Sequence, residues 1–96
     1  MAKILCVEWN ESVLESRCAV LKVAGHVTTA ASPGLAESVL RGEKFDLIVI
    51  SGVSDFELQT IVNFADGANV LVLEKIMFPD ELISVVADRL NRQRRA

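Results

Sequence analysis

Phe45-Asp46-Leu47-Ile48-Val49-Ile50-Ser51 is the stretch that decides the fold. From Leu47 to Ile50 every residue is aliphatic and most are β-branched, with no polar alternation. Such a run reads as a strand buried on both faces, as in a parallel sheet, rather than as the half-wet strand of an antiparallel one. It stops at Ser51-Gly52. Open α/β sheets bind ligands outside the carboxyl ends of their strands, so the residues just past Ile50 stand on the candidate functional rim.

Upstream, Lys3 to Val7 is a short apolar run broken by Glu8-Trp9-Asn10-Glu11-Ser12. From Ser12, Leu14, Cys18 and Leu21 recur at helical spacing with Val13 and Val20 beside them, and Gly25 suits a helix C-cap, so the first helix ends near Ala24. Residues 26 to 31 predict a second strand. Ser32-Pro33 predicts the cap and first position of a second helix, striped by Leu35, Val39 and Leu40 and closed by Gly42. Downstream, Gly52-Val53-Ser54-Asp55 is a loop, and Leu58, Ile61, Val62 and Ala65 share a helix face that ends at Asp66-Gly67. Asn69 to Leu73 predicts a fourth strand, and Pro79 opens a last helix lined by Leu82, Val85, Val86 and Leu90. Strands alternating with helices over short loops require right-handed crossovers, and hence a parallel sheet covered on both faces. The expected class is α/β, a three-layer α/β/α sandwich. Its rim collects Glu8, Trp9, Ser51, Gly52, Glu74 and Lys75, each just past the carboxyl end of a strand.

Ninety-six residues, 51% apolar and without tyrosine, predict a single domain with an aliphatic core, taken as residues 1–90, with a basic tail at 91–96. The net charge of −3 is uneven: residues 1–88 carry six basic and thirteen acidic side chains, or −7, and residues 89–96 carry four arginines. An acidic body disfavours nucleic acid as the main ligand, because duplex affinity comes mostly from neutralising phosphates. No apolar run is long enough for a bilayer, and Met-Ala-Lys-Ile leads into a strand rather than a signal peptide, so a cytoplasmic protein is expected. Cys6 and Cys18 belong to no Cys-x-x-Cys pair and have no histidine at metal-ligand spacing; they read as reduced thiols used as small apolar residues.

With these segments in order, the chain resembles the receiver domain of bacterial response regulators, a flavodoxin-like fold that takes a phosphoryl group on an aspartate. Lys3-Ile4-Leu5-Cys6-Val7-Glu8 is similar to the family's first strand with its acidic ending. Ala24-Gly25-His26-Val27 through Ser32-Pro33-Gly34-Leu35-Ala36 is similar to its second strand and the entry to helix two. Phe45 to Ile50 is similar to the strand that delivers the phospho-acceptor, and Leu73-Glu74-Lys75 with Phe78-Pro79-Asp80-Glu81-Leu82 keeps the spacing from the phosphate-binding lysine to the last helix. The departures are equally specific. Ser51 stands at the acceptor aspartate's position, Trp9 at that of a metal-binding acid, and Ile76 at that of the proline after the lysine, here Lys75. The interval from Ser51 to Lys75 is about one β/α unit short, so the resemblance implies a truncated four-stranded sheet of order 2-1-3-4.

Phosphoryl transfer to a carboxylate needs that carboxylate and a divalent cation. Ser51 has no evident base, since the single histidine, His26, falls at the opposite rim. Glu8 is the one acid matched to the family's metal site, leaving Mg²⁺ a weak candidate even if Glu11 or Asp55 leans in. Lys75 is expected to pair with Glu8 or Glu74. Trp9 reads as a partner anchor or a lid over the sheet. Val70 and Val72 lie on a strand expected to form a bare apolar edge, and Met77 and Phe78 precede the last helix, where Phe78 takes an N-cap position that Ser or Asp normally fills. These residues are the expected surface for a signalling partner, or for self-association through the strand-four edge or the last helix. The leading expectation is a degenerate, non-enzymatic receiver-like module that acts by protein contact and needs no cofactor. Alternatives are a receiver switched by a separate kinase at Ser51, a small phosphotransfer enzyme using Cys6, and the regulatory part of a longer DNA-binding regulator.

Overall fold

The computed structural model describes residues 2–65 and 67–94. The chain runs β1 (Lys3–Val7), α1 (Glu11–Val23), β2 (Val27–Ala31), α2 (Pro33–Gly42), β3 (Leu47–Ile50), α3 (Asp55–Phe64), β4 (Asn69–Val72) and α4 (Pro79–Arg94). All pairings are parallel and the order is β2-β1-β3-β4, as expected for the α/β sandwich. Residues 91–94 of the expected tail continue α4. Arg95 and Ala96 lie outside the described residues, as does Asp66 of the expected helix stop.

Alternate strand residues face opposite sides, so the sheet divides the core in two. Ile4, Cys6, Leu47, Val49 and Leu71 pack with Leu14 and Leu21 of α1 and Leu82, Val86 and Leu90 of α4. Leu5, Val7, Ile48 and Ile50 pack with Ala36 and Leu40 of α2 and Ile61 of α3. All four side chains of β3 are fully buried, each contributing about 1.5–3 kcal/mol by area. β3 is therefore the spine that both layers share.

Local chemistry sets the helix starts. The Asn10 side chain accepts the Val13 N–H at 3.2 Å, and Ser54 and Glu57 form a reciprocal capping box at the start of α3. Two stripe residues differ from expectation. Leu35 and Val62 are exposed, because Ala36 with Leu40 and Ile61 with Ala65 are the pairs that turn their helices toward the sheet.

The edge at β4 is also corrected. Leu73 donates to the Ile50 carbonyl at 2.8 Å, so odd-numbered residues here point their backbone groups at β3, and those of Val70 and Val72 point outward. The Val70 N–H is taken by the Asn69 side chain at 3.1 Å, and its carbonyl accepts from Arg89 Nη1 of α4 at 3.0 Å. Arg89 also reaches Asn69 Oδ1 at 3.4 Å, which closes the clamp. The expected bare edge is thus blunted by an arginine from the neighbouring helix.

Candidate functional site

The rim is held level by the sheet itself: Ser51 N–H, one residue past β3, donates to the Val7 carbonyl at 3.1 Å. This sets Ser51 beside Glu8, one residue past β1. Both are nearly buried, at 8% and 9% exposure, and Arg17 of α1 is buried with them at 7%. The Ser51 hydroxyl donates to Glu8 Oε1 at 3.2 Å and accepts from Arg17 Nη1 at 2.7 Å. Glu8 Oε2 accepts the Trp9 and Asn10 backbone N–H groups at 2.7 and 3.4 Å.

A buried carboxylate is tolerable only when paired and hydrogen-bonded, and here a guanidinium supplies the opposite charge through one hydroxyl. Ser51 suits that bridge because it gives a proton on one side and a lone pair on the other. Gly52 completes the packing. Its φ is +65°, and a Cβ there would run into the Glu8 carboxylate, so both conformation and space call for glycine. No histidine stands near Ser51, as expected; its hydroxyl is hydrogen-bonded instead to the Glu8 carboxylate. The same contacts bring Arg17 onto Ser51 Oγ, which ties up a lone pair that a nucleophile would use.

Arg17 is the residue that sequence reasoning missed. The signal was present: Leu14, Arg17 and Leu21 sit at i, i+3 and i+7, so the arginine shares the buried face of α1. An arginine reads as solvent-facing by type, and its burial depends on partners beyond the ends of β1 and β3 that lie 9 and 34 positions away in the chain.

The remaining expected residues are dispersed. Lys75 is exposed, and among the described residues no ion pair joins it to Glu8 or Glu74; the acceptors of Glu8 are already engaged. Trp9 is 53% exposed, with its indole Nε1 on both carboxylate oxygens of Glu57 at 3.0 and 3.2 Å. A Cβ at Gly34 would stand 3.5 Å from Trp9 Cη2, so the ring spans from the start of α2 to the start of α3. The Ser54 N–H holds the Glu57 carboxyl below its ordinary pKa, with help from the Trp9 indole. Met77 is partly buried: it packs against the α1/α4 core and also lines the hollow beside it. Phe78 keeps the N-cap position but does not pack within the chain: its ring is 77% exposed, and its N–H reaches Glu81 Oε1 at 3.4 Å. Val72 is partly exposed on the edge and Val70 is half-buried.

His26 lies at the far end of the sheet, where Ala2 N–H donates to its Nδ1 at 3.3 Å, and burial, then the charged N-terminus, lowers its pKa. Cys6 is fully buried, which removes it as a phosphate carrier. No cluster of three or more His, Cys, Asp or Glu side chains able to hold a metal occurs among the described residues. Between α1 and the β4–α4 connection a cleft continues from the rim. Its polar end, about 290 Å³, is bounded by Glu8, Ser51 and Lys75, and its apolar end, about 270 Å³, by Val20, Met77 and Leu82. Arg17 borders both ends.

No protein-family model matches the chain, and no curated protein sequence does. Solved structures do. A CheY-like response regulator receiver domain protein from Methanospirillum hungatei JF-1 superposes with a TM-score of 0.73 at 18% identity, over 99% of this chain and 98% of that one. The chain has the receiver fold. The chemotaxis protein CheY4 of Vibrio cholerae matches at TM-score 0.66 and 18% identity, over 92% of this chain and 98% of its own. NtrX from Brucella abortus matches at 0.66 and 19% identity over 96% of this chain, which spans 27% of NtrX. The sheet order β2-β1-β3-β4 and the buried β3 are those expected from the sequence. Among the described residues, no helix is long and apolar enough to cross a membrane.

Proposed function

We propose that this protein is a receiver-like signalling module that works by protein contact, with its phosphoryl site held in one state by its own arginine. The observation that carries the reading is the Glu8–Ser51–Arg17 bridge. Where the receiver resemblance implies an aspartate awaiting phosphate and metal, Ser51 joins a buried carboxylate to a buried guanidinium. The guanidinium supplies the positive charge that a cation would bring, and the Glu8 oxygens are taken by two backbone amides and one hydroxyl, so Mg²⁺ would have to displace them. The module is non-enzymatic in this reading, needs no cofactor and belongs in the cytoplasm. Its partner is a protein that touches the rim around Trp9, whose indole is preset by Glu57 and still half exposed.

The test has two arms on the purified chain. Incubation with acetyl phosphate and Mg²⁺ is expected to leave the intact mass unchanged; a stable phosphoryl adduct at Ser51 would overturn the reading. In the second arm, affinity capture from source cells is compared between wild type and Trp9→Ala. The expected result is a defined partner retained by the first and lost by the second, and equal capture by both refutes the assignment of the rim as contact surface.

A further inference from the structure

The cleft between α1 and the β4–α4 connection is one continuous hollow, because Val13, Arg17, Leu73 and Ile76 wall both of its ends. The ends measure about 270 and 290 Å³, each close to the lower bound of about 300 Å³ for ligand pockets. Running one into the other, they suit an elongated guest better than a compact one.

Arg17 gives this cleft a charged wall. It is 7% exposed, and its Nη1 is engaged by Ser51. A guanidinium carries five N–H donors. Among the described residues no fully buried side-chain nitrogen lacks a partner, so the donors that Ser51 leaves over open onto the cleft that Arg17 borders. Lys75 borders the polar end as well and has no ion pair among the described residues. The acids at that end oppose an anion only weakly. Glu8 is turned to the Ser51 hydroxyl and to the Trp9 and Asn10 amides, and Glu74 stands in solvent, where salt screens it. The two cations therefore favour an anion, and a planar fork of donors matches a carboxylate. Ile76 supplies the apolar counterpart. It is 85% exposed where the two ends meet, so an alkyl tail laid there would cover a side chain that the fold leaves in water.

We propose that the cleft binds a straight-chain aliphatic carboxylate, with its alkyl tail between α1 and α4 and its carboxylate on Arg17 and Lys75. The guest leaves the Glu8–Ser51–Arg17 bridge in place, since it takes donors that the bridge does not use. Binding stands on the cleft alone, whether or not the rim engages a protein partner.

The experiment titrates the isotope-labelled full chain with octanoate, below its micelle-forming concentration, and follows the backbone amide shifts. Saturable shifts confined to α1, the β4–α4 connection and the start of α4 are expected. Affinity should rise about two- to four-fold per methylene from butanoate to octanoate, because a cleft open to solvent buries part of each group. Octan-1-ol carries the tail without the charge and should bind about ten-fold more weakly. Octyl phosphate should bind no tighter than octanoate. Ser16→Phe, at an exposed position on the wall of the apolar end, should abolish binding while the amide spectrum stays folded. Lys75→Gln should weaken binding about three-fold. Failure to saturate, octan-1-ol binding as tightly as octanoate, octyl phosphate binding more tightly, or an unchanged affinity in either variant overturns the proposal.

Discussion

Arg17 and Lys75 stand at the same rim, one arriving from α1 and the other just past β4, and the fold uses them in opposite ways. Arg17 is 7% exposed and bonded to Ser51, whereas Lys75 is exposed and has no ion pair with either neighbouring glutamate among the described residues. The difference is one of geometry and solvation. A planar guanidinium is weakly hydrated and can be buried with a directed hydrogen bond, while an ammonium at the end of a flexible stem gains little from leaving water. The cation that resemblance singles out therefore stands in solvent, and the cation that helical spacing conceals is built in.

The largest effect should break this contrast directly. Arg17→Ala leaves the Glu8 charge nearly buried without its counter-charge and is expected to cost about 3 kcal/mol of unfolding free energy. Lys75→Ala is expected to stay within about 0.5 kcal/mol, both read from urea denaturation. Equal losses would mean that the rim depends on diffuse charge rather than on the bridge. Ser51→Ala comes next. It keeps both ions and removes the hydroxyl between them, for an expected loss of about 1–2 kcal/mol in the same measurement.

The β4 edge offers a subtler version of the same contrast, because another arginine, Arg89, is held against backbone groups rather than released to solvent. Arg89→Ala frees the Val70 carbonyl, and sedimentation at high protein concentration should then show more self-association than wild type. Wild type that already pairs through β4 and is unaffected by the change would break the reading of Arg89 as an edge guard. The smallest effect lies in acid. The folded pKa of Glu57 is depressed below its ordinary 4.5, so the unfolded chain binds the proton more readily. Its contribution is complete above about 4.5 and is lost as pH falls through the lower folded value. Trp9 emission should track that titration, and Glu57→Gln should abolish it.

Much of the fold was legible because its signals are local. The unbroken aliphatic run Leu47 to Ile50 declared a parallel strand, and Ser32-Pro33 and Pro79 marked helix starts that the structure reproduces. Stripe details were less secure, since Leu35 and Val62 sit about one helical step from the residues that do face the sheet. Periodicity narrows a helix to a face, and packing against a particular sheet selects the angle within it. Met77 illustrates the same gap. Its apolarity was plain, but whether it packed inward or offered a contact depended on how α4 docks beside α1.

The sequence by itself determined the β/α alternation, the four-stranded parallel sheet and the positions of Glu8, Trp9, Ser51 and Lys75 at strand ends, because apolar runs, caps and turn residues act over a few positions. Tertiary structure decided what those residues became. Residues 8, 17 and 51 meet because β1 and β3 are sheet neighbours covered by α1, and only that meeting turns a serine into a bridge between two buried charges. Burial strengthens each electrostatic contact and penalises each missing one, so the character of the rim rests on distances that no local pattern encodes.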